Sequence, residues 1–172
     1  MSELRTNRIV PRDGLPSGSS GGVIQVVFGT ASGSEVRSTS TSYISIGLNA
    51  TITPTRSDSK ILILAAVQLR VFTTTGDNGA SLGIRKTVSG TATNIVERSE
   101  GYEIGYTTRN DFNANPSISH RAPLYHLDSP STTSAITYDI IGRSRSGSGS
   151  NAVDFNDDGE FGSEIILMEV SG

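Results

Sequence analysis

The densest group of hard-cation ligands in the chain is Asp154-Phe155-Asn156-Asp157-Asp158-Gly159-Glu160. It sets side-chain oxygens at positions 1, 3 and 5 and glycine at position 6. That is the opening of a Ca²⁺ loop, because a hard cation needs clustered oxygens and the chain must turn sharply around it. The ligands would be Asp154, Asn156, Asp158 and Glu160. The twelfth position, however, is Ile165, with Glu164 one residue early, and the flanks read as strands. The pattern is therefore not an EF-hand, and the competing reading is an acidic turn between two strands.

Other chemistry-bearing groups are sparser. His120 and His126 are the two histidines, and an even spacing in a strand puts both on one face, where a symmetry axis could pair them around a transition metal. Pro123 between them argues for ordinary strand residues in a broken strand. Glu97, Glu100 and Glu103 could supply the two carboxylates of a glycosidase, or simply line a polar connection. The same stretch holds Tyr102, Tyr106, Arg109, Asn110 and Phe112, aromatic faces beside amide and charged groups in an expected long loop. Such a loop suits recognition of sugar rings, or packs against the domain edge or a neighbouring subunit. No phosphate-binding glycine loop followed by a helix and no nucleophile elbow occurs.

These groups must be positioned by strands. Residues 43–53 alternate with a period of two, and KILILAAVQLRVF at 60–72 is apolar at every odd position. Even positions of the latter are apolar from Leu62 through Ala66 and then polar at Gln68 and Arg70. Its first half should be buried on both faces, and its second half should turn Gln68 and Arg70 to solvent or a partner. Asp77-Asn78-Gly79 and Ser89-Gly90 supply hairpin turns around strands at 82–88 and 93–98, giving a three-stranded meander. Further strands are expected at 23–28, 120–127, 135–143 and 164–170, with a weaker one at 153–155. Eight or nine strands without a helical stripe imply an all-β antiparallel sandwich, a jelly roll by preference, over residues 23–172. Residues 1–22, with Pro11, Pro16 and SGSSGG, read as an extended arm.

Composition agrees. The 172 residues include 26 Ser, 18 Thr and 19 Gly, so the core is thin, and part of the apolar surface should be buried between subunits. Net charge is -3, and the 12 Arg are scattered, so no nucleic-acid footprint is visible. With no Cys there is neither a disulfide framework nor a thiolate metal site. The longest apolar run, at 61–67, is too short for a membrane helix, and no N-terminal apolar segment directs export. A soluble chain made in the cytoplasm, without membrane insertion, is expected.

Five segments, MSELRTNRI at the N-terminus, GGVIQVV at 21–27, ITPTRSDSKILIL at 52–64, LDSPSTTSAITY at 127–138 and the closing EIILMEV, carry a family likeness. Together they resemble small virion structural proteins of tailed bacteriophages of the cyanophage type, described as tail-fibre or fibre-like proteins. The resemblance implies a sandwich head, commonly a homotrimer, on an N-terminal arm that docks to other virion proteins of the tail or capsid. On that reading Leu4, Ile9 and Val10 supply apolar anchoring, while Arg5, Arg8 and Arg12 pair with acidic groups. The expected function is a non-enzymatic tail appendage on the virion, contacting the host surface through a host surface glycan, with no cofactor unless Ca²⁺ binds. A capsid decoration protein and a carbohydrate-binding module are the alternatives.

Overall fold

The computed structural model describes residues 22–31, 35–98, 104–108, 116–147, 151–156 and 162–171. Among them are eleven strands and no helix: β1 (Val23–Ala31), β2 (Val36–Ser38), β3 (Ile44–Ile52), β4 (Lys60–Phe72), β5 (Asp77–Val88), β6 (Thr91–Val96), β7 (Tyr106–Thr108), β8 (Ser117–Asp128), β9 (Ile136–Ser144), β10 (Ala152–Phe155) and β11 (Ser163–Val170). All pairings are antiparallel.

In the first sheet β4 is the axis. It pairs with β8 along one edge, and along the other with β11 and then β10, which carry β1 and β2 outside them. The second sheet runs β3-β9-β5-β6, with β7 on the far end of β5. The two sheets are not closed into a barrel, so the architecture is the expected β-sandwich. From β2 to β5 and again from β7 to β10 the chain changes sheet at nearly every strand, as a jelly-roll winding requires.

The period-two reading explains the core. Odd residues of β4 from Ile61 to Val71 point inward and meet Ile46, Leu48 and Ile52 of β3, Leu82 and Ile84 of β5, and Ile136, Tyr138 and Ile140 of β9. β-branched residues dominate because they fill a pleated, half-buried surface well. Glycine is required where the Phe155 ring lies on Gly142, since a Cβ there would overlap it. Ser89 and Gly90 both adopt positive φ in the β5–β6 hairpin, the primed-turn geometry expected of Ser-Gly.

Three expectations are corrected. Asp77-Asn78-Gly79 is not a hairpin turn but the start of β5, and the chain turns instead over 73–76, at Gly76 with φ +66°. Since β4 and β5 lie in different sheets, the meander reduces to the β5–β6 hairpin. The physical reason is Asn78, whose buried amide donates to the carbonyls of Phe72 and Ala152, both at 3.1 Å, and accepts from the Ser144 hydroxyl at 2.9 Å. A side chain that ties three strand ends together is worth more inside than at a turn. Pro123 does not break its strand, because β8 is paired on one edge only and the missing N–H faces away from β4. Finally, Tyr106 lies on the short strand β7 rather than in a loop.

Candidate assembly surface

The outer face of the β4-centred sheet carries the least expected chemistry. Register places Val26, Met168, Leu62 and Leu127 in one row across β1, β11, β4 and β8. The next row is Phe28, Ile166, Leu64 and Tyr125, and the third contains Thr30, Glu164, Ala66 and Pro123. Tyr125 is 76% exposed, Phe28 58%, Val26 56% and Leu127 50%. Single exposed apolar residues are ordinary, but two adjoining rows of four are not.

From the third row onward the face becomes charged. Arg121 bridges to Glu164 at 2.7 Å, and Arg70 donates to Asp154 at 2.8 Å, with Arg37 of β2 at 3.6 Å from the same carboxylate. The Arg37 guanidinium lies 4.4 Å from the Phe72 ring centroid, which closes a lid over Asp154. The face therefore has an apolar half and a charged half whose carboxylates are matched within the protomer.

Interior polar groups act as ties. The Tyr138 hydroxyl donates to Asp128 at 2.7 Å, and the Lys86 ammonium donates to the same carboxylate at 3.0 Å. Burial, reinforced by the Asp128 charge, pushes the Tyr138 phenol far above its ordinary range. Glu169 is wholly buried, yet it accepts from the Gln25 amide at 2.6 Å and from both the backbone N–H and hydroxyl of Thr55 at 2.8 Å. Burial opposes its charge, but Gln25, the nearby Ser59 hydroxyl and Thr55 prevail and hold its carboxyl below the usual glutamate value. This clamp fastens the 53–59 turn to β11.

The sequence-derived candidates fall as follows. Leu4, Arg5, Arg8, Ile9, Val10 and Arg12 lie outside the described residues, as do Tyr102, Arg109, Asn110, Phe112, Asp158, Glu160, Glu100 and Glu103. Tyr106 is exposed; its hydroxyl donates to Asp77, and the Arg145 guanidinium sits 5.3 Å from its ring centroid. Asp154 faces two guanidinium groups, and the Asn156 amide donates to the Ile46 carbonyl at 2.7 Å. Among the described residues no three His, Cys, Asp or Glu side chains cluster to hold a metal. Glu97 accepts from the Asn94 amide at 2.6 Å. His120 and His126 do share one side of β8, about 20 Å apart at strand rise, too far for one ion within a single chain. Burial alone lowers the His120 pKa, and its ring lies on Gly105.

Sequence reasoning reached this face only in part, through the expectation that the first half of β4 is buried on both sides; its extent across neighbouring strands was missed, although a signal was present. β1, β11 and the first half of β4 are apolar at both parities, and these three strands turn out to be neighbours.

No family model and no curated protein sequence matches the chain. Among solved structures, one of infectious bursal disease virus, Gx strain, shares 14% identity at a TM-score of 0.45, covering 94% of this chain and 41% of that one. The VP2 subviral particle of the same virus gives 15% identity and a TM-score of 0.38, covering 98% of this chain and 42% of that one. T=1 particles derived from the virus give 15% and 0.38, with 98% and 41% covered. The chain spans about two fifths of the length of each of these chains.

Proposed function

We propose that this chain is a non-enzymatic structural protein of a virion, a β-sandwich head that works by assembly. The apolar half of the β4-centred sheet's outer face carries this reading, because a sheet face built to meet water alternates with polar residues. Its buried carboxylates support it too: Asp128, Asp154 and Glu169 each hold strands or turns together through matched donors. The resemblance of the five sequence segments to tailed-phage virion proteins favours a tail appendage as the location of the head, with residues 1–22 as the anchoring arm. Decoration of the capsid is the second location compatible with the same head.

Purified particles test the reading. The protein should co-purify with virions and be labelled on them by antibody-gold, with few copies for a tail appendage and a copy number near that of the shell protein for decoration. Recovery only in the particle-free fraction would overturn it. A chain starting at Gly21 retains every strand from β1 to β11, so it should fold but not join particles. Normal incorporation of that chain would remove the anchoring role from the arm.

A further inference from the structure

We infer that the occupant of the apolar outer face is a second copy of this chain, stacked on it face to face about a two-fold axis. The inference rests on the reading of the chain as an assembling structural protein and names the partner of that surface. Three observations carry it.

The first is area. β4 is thirteen residues long and the sheet is four strands wide at either end, so at ordinary strand rise and spacing the face measures about 44 Å by 19 Å, or about 800 Å². A stable protein–protein interface buries about 800 Å² per partner. The apolar half makes the interface core, and the charged half makes its rim.

The second is charge. Glu164 and Asp154 are already matched by Arg121, Arg70 and Arg37 on the same face. The carboxylates of two identical faces can therefore meet without repelling each other, and Lys60, exposed on this face at the start of β4, lies at the rim, where solvent screens it from its own copy. A lipid surface or polyanion would instead call for a basic rim with its charge directed outward.

The third is the distribution of exposed large hydrophobics. Val26, Phe28, Tyr125 and Leu127 share this patch and Val23 opens the same edge strand β1, while Tyr106 on β7 and Ile118 near the start of β8 stand apart from it. A head-to-tail ring would press the apolar rows onto a polar region of the next copy. A two-fold contact presses them onto themselves, because an isologous interface uses the same patch twice. With the axis running along β4, apolar half meets apolar half and the two sheets stack about 10 Å apart. The geometry thus favours a dimer over the trimer that the family resemblance implies.

Light scattering on the isolated full chain tests this. The wild type should weigh twice the 18.1 kDa chain. Tyr125→Glu and Phe28→Glu, both at water-exposed positions on opposite edge strands, should keep the β circular dichroism spectrum yet weaken dimerisation about a hundred-fold, reading as monomers. Thr93→Glu, exposed on β6 of the other sheet, should leave the dimer intact. A wild-type monomer at the highest concentration reached, a trimer, or a dimer indifferent to both face substitutions would overturn the proposal. Because no particle enters this measurement, a failed dimer leaves virion incorporation standing, and absence from virions leaves the dimer standing.

Discussion

The two sheets present the same pleat to the outside and finish it in opposite ways. On the β3-β9-β5 sheet the outer rows are Thr51, Thr137 and Thr87, then Asn49, Asp139 and Arg85. Their side chains bond to one another: Thr51 and Thr137 at 2.8 Å, the Ser45 hydroxyl to Asp139 at 2.8 Å, and Arg85 to Asn94 at 3.0 Å. On the β4-centred sheet the corresponding rows are apolar and rest half-exposed. Hydroxyl pairs gain little from being covered, whereas each Leu, Ile, Phe or Met side chain taken fully out of water contributes about 1.5–3 kcal/mol. One face is finished as a surface, and the other is an interior that awaits its second half.

Substitutions can break or sharpen that contrast, and the largest effect comes from the core both sheets share. Ile63, fully buried on β4, should cost about 2–5 kcal/mol as Ile63→Ala, read from the urea midpoint. The loss should be the same at every protein concentration. A loss below about 1 kcal/mol would mean that β4 is not the packing axis. Its neighbour Leu64 points the other way, so Leu64→Ala should cost about 1–3 kcal/mol at high concentration and less on dilution, as the covering copy leaves. A cost independent of concentration would erase the distinction between the two sides of β4.

Two carboxylates offer a pH version of the comparison. Glu169 sits below its ordinary value of 4.5, so the stability it adds is present above that pH and is lost as pH falls through the lowered value. Glu169→Gln should destabilise at neutral pH and flatten the acid limb of the melting curve. Asp139, on the polar outer face, goes the other way. Burial raises its pKa above 3.8, with the Ser45 bond and Arg85 offsetting part of the rise. Its charge costs stability above the raised value and the cost disappears as pH falls, so Asp139→Asn should be neutral or stabilising at pH 7. Identical pH profiles for the two variants would contradict the assignment. The smallest effect should come from Thr51→Val, within about 0.5 kcal/mol and without change in mass, because that face already lies in water.

Much of the fold was legible because alternation is local. β4 begins and ends where the residue pattern places it, and β3, β8, β9 and β11 fall within a few residues of expectation. What stayed hidden was non-local. Asn78 reads as a turn residue until the carbonyls of Phe72 and Ala152 are brought to its amide, and Tyr106 reads as loop until β7 pairs with β5. The assembly face was half-legible. KILILAA signals burial on both sides, yet the protomer buries only the odd positions, and Leu62 and Leu64 are left half-exposed. The discrepancy is resolved by a partner on the even side. That Val26, Phe28, Tyr125 and Leu127 extend the same patch could not be read before register joined strands about a hundred residues apart in sequence. The arm and most of the 99–115 segment, which held the glycan-recognition candidates, lie outside the described residues.

The central claim, that water is excluded from the outer face of the β4-centred sheet, can be read from a single ring. The chain contains no tryptophan, so a Tyr125→Trp reporter at the most exposed large hydrophobic position gives an uncontaminated signal. Its emission should be blue-shifted at high concentration and move to the red on dilution, over the range in which the mass halves, while a Thr93→Trp reporter on the other sheet stays red throughout. If both reporters are equally red at every concentration, the face is open to water and the account is wrong.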